Sequence, residues 1–327
     1  MKPVLNELEQ ENGNRFGTNM HVAIDITYVA YYGDRDGMKW LQGAPDDKEY
    51  DWCHKFATAT IVGKNIHQVL GVTPLGNTEW VDHEPMPGPD TSHYPGEVVR
   101  RLLDIVTDYV DIKTVYADRE FFAVDVISAF EERNLKYLIP AVKNSRVKSK
   151  CNEFDDIKRG YQDEPGDEAL YVEHGYPMYS RVKHCTRYTR VTTTLAITPP
   201  DEDAEGVESG EPIPYVTNLD IDDEISLDRR WATKQLDKYQ NRGGIETSYK
   251  SIKKCAAYTT SKEFSVRWFH FGFACIIYNM WLLVDFLTQH RIGEIETRTK
   301  PRINLSRFLE WFDDKFGWFL APDRTGR

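Results

Sequence analysis

The chain has 327 residues, 40% of them hydrophobic, enough to build one large domain with an insertion or two domains. It is acidic, with 41 Lys and Arg against 52 Asp and Glu and a net charge of −11, so it is not a uniformly basic nucleic-acid-coating protein and the placement of its cations matters more than their sum. Its five cysteines, Cys53, Cys151, Cys185, Cys255 and Cys275, form no C-x-x-C pair, which favours reduced thiols over disulfides or structural zinc.

Residues 1–20 read as an N-terminal extension without the apolar core of a signal peptide, and a cytoplasmic protein is expected. The run His21-Val-Ala-Ile-Asp25-Ile-Thr-Tyr-Val-Ala-Tyr-Tyr is rich in β-branched and aromatic residues and reads as a buried strand. A carboxylate inside such a run is costly unless it is paired or binds a metal. Trp52–Val62 and Ile66–Thr73 follow as strands joined by Gly63-Lys-Asn, making an antiparallel meander with the first. Pro85–Pro95 is a Pro/Gly-rich loop, and Glu97–Val110 is an amphipathic helix with Val98, Leu102, Ile105 and Val106 on its apolar side. Ile112-Lys-Thr-Val-Tyr-Ala-Asp118 is a short strand ending at an acid, with a helix to about Asn134 after it. An Asp at that junction is also a common helix N-cap. Lys136-Tyr-Leu-Ile-Pro-Ala-Val closes this first part, residues 21–142, as a strand.

Residues 143–227 form a β-rich region dense in Thr, Tyr and Val. Its Arg181, Lys183, Arg187 and Arg190 could track a phosphate backbone, and Pro199–Pro214 reads as an acidic loop. Between Arg229 and Lys262 stand nine cations and two acids, a net of +7 within an acidic chain and a local footprint for phosphates, or else a solvated helical face. That stretch contains Tyr239-Gln-Asn-Arg242-Gly-Gly-Ile-Glu246-Thr-Ser-Tyr-Lys-Ser-Ile-Lys253, whose Tyr, Arg, Glu and Lys are spaced by 3, 4 and 7 residues. At about 100° per residue these four side chains fall within roughly 60° of one helical face. Residues 228–292 continue through Phe269–Leu287, an apolar stretch broken by His270, Asn279 and Asp285 that reads as a core helix and not as a membrane span. The tail, 293–327, carries Trp311, Phe312, Phe316, Trp318 and Phe319 and reads as an aromatic helix docking on the body.

An Asp in an early strand, a second Asp after Val-Tyr-Ala, and Tyr-x2-Arg-x3-Glu-x6-Lys together resemble the DDE transposases of the IS-four insertion-sequence family, over about residues 20 to 290. The resemblance implies an α/β, RNase H-like mixed sheet flanked by helices, with a β-rich insertion between the second Asp and the Glu. It implies Asp25, Asp118 and Glu246 as a catalytic triad holding two Mg²⁺ or Mn²⁺ ions about 3.5–4 Å apart. It implies Tyr239, Arg242 and Lys253 as DNA contacts, chiefly to phosphates. Gly243-Gly244 departs from a continuous helix, which is expected to start or bend there. In the RNase H-like order the first and fourth strands are neighbours, about 4.8 Å apart, so Asp25 and Asp118 can share a metal pair. The expected partners are transposon-end and target DNA, with a homodimer in the DNA complex, association with the nucleoid and no membrane. Asp25 stands so early that the N-terminal end-recognition domain usual in relatives finds no room, which points to a truncated copy or to end recognition elsewhere. An RNase H-like nuclease, a glycosidase using two of the carboxylates, and a non-catalytic DNA-binding remnant are the other readings.

Overall fold

The computed structural model describes residues 18–34, 40–46, 48–63, 66–76, 95–158, 169–180, 188–200, 210–257, 259–292 and 300–320. In chain order the elements are β1 (Met20–Tyr31), β2 (Gln42–Gly43), β3 (Trp52–Gly63), β4 (Ile66–Leu75), α1 (Pro95–Thr107), β5 (Ile112–Ala117), α2 (Val124–Glu131), β6 (Lys136–Pro140) and α3 (Ser145–Lys158). They continue as β7 (Tyr171–Tyr179), β8 (Arg190–Thr198), β9 (Ile213–Thr217), α4 (Ser226–Leu236), α5 (Gly244–Cys255), α6 (Phe264–Arg291) and α7 (Leu305–Leu320). Short 3-10 segments lie at Arg119–Phe121 and Asp237–Gly243.

Among the described residues the strands make one nine-stranded mixed sheet in the order β2-β3-β1-β5-β6-β9-β8-β7, with β4 also pairing β3. β1, β3 and β4 are antiparallel, whereas β1, β5 and β6 run parallel. Parallel neighbours need crossovers, which α1 and α2 supply. A strand buried on both faces reads as a largely apolar run, which β1 does apart from His21, Asp25 and Thr27. Val22, Ile24 and Ile26 enter one core with Val98, Leu102, Val126, Phe130 and Phe154 of α1, α2 and α3. Ala23 enters the other, with Phe56, Ile245, Ile252, Phe271 and Trp281. The two-residue period then places Asp25 on the α5–α6 side of the sheet.

On the α1–α2 side, Arg100 is buried and donates to Asp125 at 2.9 Å and to Glu132 at 2.9 Å, tying the two helices together. α6 is long and apolar enough to cross a membrane by length and composition alone. It lies against the sheet, burying Phe264, Phe271, Ala274, Cys275, Ile277, Tyr278 and Trp281. The tail docks there as well: Trp281 Nε1 donates to the Ile303 carbonyl at 2.7 Å, the Ile303 amide donates to Asp285 at 2.7 Å, and Phe308 is buried. Trp311 and Phe316 remain exposed, while the Trp318 and Phe319 side chains lie outside the described residues.

Residues 143–227 differ from the expected β-rich region in two ways. They begin with a helix, α3, whose Val147, Cys151 and Phe154 recur at helical spacing and are buried. Their strands also extend the central sheet, because β9 pairs antiparallel with β6 and β8 with β9. Arg181, Lys183, Arg187 and most of the acidic loop lie outside the described residues. Arg190 stacks over the Tyr179 ring at 5.6 Å.

Candidate active site

Asp25 sits in the middle of β1, and Asp118 is the first residue beyond β5. The parallel register pairs Ile24 with Ala117, and the Asp118 amide donates to the Ile24 carbonyl at 3.1 Å, so the two acids are lateral neighbours, one within β1 and one just past the end of β5. Asp25 is 4% exposed and its Oδ1 accepts the Ile26 amide at 2.8 Å. Asp118 Oδ1 accepts the Arg119 amide at 2.7 Å, capping the 3-10 turn Arg119–Phe121. The capping role and the site role therefore coexist in one carboxylate.

The group that joins them is Arg242. Its Nη2 lies 3.0 Å from Asp25 Oδ1 and 3.3 Å from Asp118 Oδ1. Its Nη1 donates to the Tyr239 hydroxyl at 2.6 Å, and that hydroxyl donates to the Ala117 carbonyl at 3.3 Å. The guanidinium also covers the Tyr239 ring at 5.4 Å. Tyr239 is fixed in turn by edge contacts with Tyr116 at 6.3 Å and Tyr215 at 5.7 Å. The Asp25 carboxyl is pushed up to about 6, first by burial, with the Arg242 charge pulling it back and the Asp118 charge adding to the rise. Two acids and one cation thus share a partly desolvated space.

The expected single helical stripe is replaced by two pieces. Tyr239 and Arg242 belong to the 3-10 segment, and α5 begins at Gly244. A 3-10 helix has three residues per turn, so Tyr239 and Arg242 eclipse each other, as their hydrogen bond requires. Gly244 lies so close to His67 of β4 that a Cβ there would stand 2.1 Å from the ring Nε2, which explains a glycine at this junction. Glu246, in the first turn of α5, is exposed. It lines the same open cleft of about 760 Å³ as Asp118, Arg119, Tyr239 and Arg242. Among the described residues no three His, Cys, Asp or Glu side chains are gathered closely enough to hold a metal. The structure therefore brings Asp25 and Asp118 together and sets Glu246 on the cleft wall beside them. Lys253, about two turns on, is exposed, and its ammonium pKa is lowered by partial desolvation and then by Lys48.

The donor set suits a divalent cation: two crowded carboxylates of hard oxygen, a third carboxylate on the same cleft, and a position between the pair that already holds positive charge. One supporting pair escapes sequence reasoning. Thr58 lies opposite Asp25 in the β1–β3 register, and its Oγ1 shares a 2.6 Å hydrogen bond with the buried Tyr249 hydroxyl of α5. The polar Thr at alternate positions of Ala57-Thr58-Ala59-Thr60 is the only trace of this in the sequence, and ordinary β propensity explains it equally well.

The transposase DDE domain model matches residues 17–280. No protein with a curated description matches the chain in sequence. Among solved structures, a piggyBac transposase synaptic complex with hairpin DNA superposes with a TM-score of 0.49 at 12% identity, covering 94% of this chain and 55% of that one. This chain therefore spans about half the length of that transposase. Endonuclease V of Ciona intestinalis, in complex with an inosine-containing 24mer DNA, gives a TM-score of 0.29 at 10% identity, covering 72% of this chain and 96% of that one. Both scores lie below 0.5, so kinship rests on the match across residues 17–280.

Proposed function

Because the chain belongs to the transposase DDE domain family, we propose that it cleaves DNA at the ends of an insertion sequence and joins those ends to target DNA, using Mg²⁺ or Mn²⁺. The finer assignment is to the IS-four group, with Tyr239, Arg242, Glu246 and Lys253 as its signature and an RNase H-like core. The observation that carries the proposal is the meeting of Asp25 and Asp118 at Arg242, across adjacent parallel strands, with Asp118, Arg242 and Glu246 lining one cleft.

In this reading Asp25, Asp118 and Glu246 hold the metal. When bound, it supplies Lewis-acid stabilisation of the attacking and leaving oxygens of an in-line phosphoryl transfer. Asp25 and Asp118 position it because both are fixed by backbone amides at 2.8 and 2.7 Å. Glu246, on a helix locked to the sheet by Tyr249 and Thr58, closes the set from the cleft side. Arg242 offers a planar fork suited to phosphate, and Lys253 offers a point charge further along the backbone. Strand cleavage and strand joining are both phosphoryl transfers, so one site serves both. DNA is the partner, a homodimer would assemble on paired ends, and the protein would act in the cytoplasm on the nucleoid.

The test is cleavage and joining of duplexes carrying the element's ends. Activity is expected with Mg²⁺ or Mn²⁺, and loss is expected in chelator and in Asp118→Ala. Full activity in chelator would refute the metal reading. Cleavage without any joined product would reduce the assignment to a nuclease.

A further inference from the structure

We propose that Arg242 is a placeholder for the metal: in the resting chain its guanidinium holds the Asp25–Asp118 pair together, and metal loading displaces it into the cleft, where it becomes free to take a phosphate. This deepens the reading above and rests on the Asp pair being a metal site.

The geometry argues for mutual exclusion. One guanidinium nitrogen stands within 3.3 Å of an oxygen from each carboxylate. A divalent ion held by the same two carboxylates would compete for that space with the guanidinium and its positive charge. The resting seat also leaves the guanidinium incompletely satisfied. Nη1 has the Tyr239 hydroxyl and Nη2 has the carboxylates, but Nε is buried with no hydrogen-bond partner. A buried donor without a partner is costly, so this seat is poorer than one in which the whole fork is engaged. The neighbouring cleft is lined by Arg119, Thr233 and Tyr215, and the Thr233 hydroxyl is likewise buried without a partner. A phosphate oxygen entering there would stand beside a hydroxyl that still lacks a partner.

The consequence is linkage. If metal releases Arg242 and phosphate captures it, each ligand favours the other, and the coupling is reciprocal. A chain without metal would hold its main phosphate fork sequestered on its own carboxylates.

The experiment is Mn²⁺ titration by calorimetry of the full chain without DNA, for the natural protein, Arg242→Gln, Tyr239→Phe, Lys238→Gln and Asp118→Asn. Arg242→Gln is expected to bind Mn²⁺ at least about tenfold more tightly, within the usual range of coupling between sites. The gain should persist at about 0.5 M KCl, because contact competition is screened far less than a diffuse surface field. Lys238→Gln, which removes a charge whose electrostatic neighbours are Lys113 and Lys234, should change affinity by less than about twofold. Tyr239→Phe keeps the ring but removes the hydroxyl that seats Arg242, so it should tighten binding severalfold, and it decides the question if Arg242→Gln fails to fold. Equal affinity in the natural protein, Arg242→Gln and Tyr239→Phe, with loss in Asp118→Asn, would overturn the placeholder and leave the metal site standing. A gain matched by Lys238→Gln, or abolished by salt, would also overturn it. Mn²⁺ binding that is absent throughout, or unaffected by Asp118→Asn, would instead sink the metal reading itself, and the placeholder with it.

Discussion

Replacing Tyr249 by Phe isolates the bond that fastens α5 to the sheet behind Asp25. The Tyr249 hydroxyl and Thr58 Oγ1 are 2.6 Å apart, and both side chains are buried, Thr58 completely. Removing one partner strands the other away from water, at a cost of about 1–3 kcal/mol. Tyr249→Phe and Thr58→Val are each expected to lose about that much. The double variant leaves no orphaned polar atom, so it should lie within about 1 kcal/mol of the natural protein. The measurement is urea unfolding followed by far-UV circular dichroism, comparing midpoints at unchanged slope. Because α5 carries Glu246 and Lys253, the single variants should also lose cleavage activity that the double variant regains in part. Simple additivity, with the double variant losing the sum of the two singles, would show that the hydroxyls are not coupled and that α5 is held without this bond.

His54 is fully buried, donates from Nδ1 to the Trp40 carbonyl at 3.0 Å, and is held neutral by burial, its pKa pushed down to about 4. The unfolded chain takes up the proton first, so stability is intact above about pH 6.5 and falls as pH drops toward 4, by up to roughly 3 kcal/mol. His54→Gln should flatten the stability profile across that window, and an unchanged slope would count against it. Arg100→Ala leaves Asp125 buried without its cation and should cost about 3–5 kcal/mol, seen as a lowered melting temperature. Lys253→Ala should weaken binding to all DNA sequences alike and reduce the salt slope by about one unit, whereas Glu246→Gln should retain binding and abolish cleavage. Equal loss of binding in both variants would mean that α5 is structural at both positions.

The sequence alone determined the strands and their acids. β1 and β5 are runs of β-branched and aromatic residues, and a carboxylate within one and at the end of the other stands out because burial makes it costly. The glycine pair marked the start of α5 because glycine is a local breaker whatever packs around it. Residues 143–227 were legible as strands by composition, but not as an extension of the same sheet, since β6 pairs with β9 through hydrogen bonds that leave no periodic trace in either strand. α3 was missed because a charged helix that buries Val147, Cys151 and Phe154 resembles a loop in composition.

What only the tertiary structure decided is the state of the site. Spacing along one helix predicted a shared stripe for Tyr239, Arg242, Glu246 and Lys253, but the turn from 3-10 to α geometry sends the first two down to the sheet and leaves the last two exposed. Arg242 reaches Asp25 across 217 residues of chain, and which of several cations would do so depends on strand register and helix seating. The sequence supplies acids and bases of the right kind. Their pairing is a long-range contact, fixed by the packing of α5 on β3 and β4 and by the hydrogen bond between Tyr249 and Thr58.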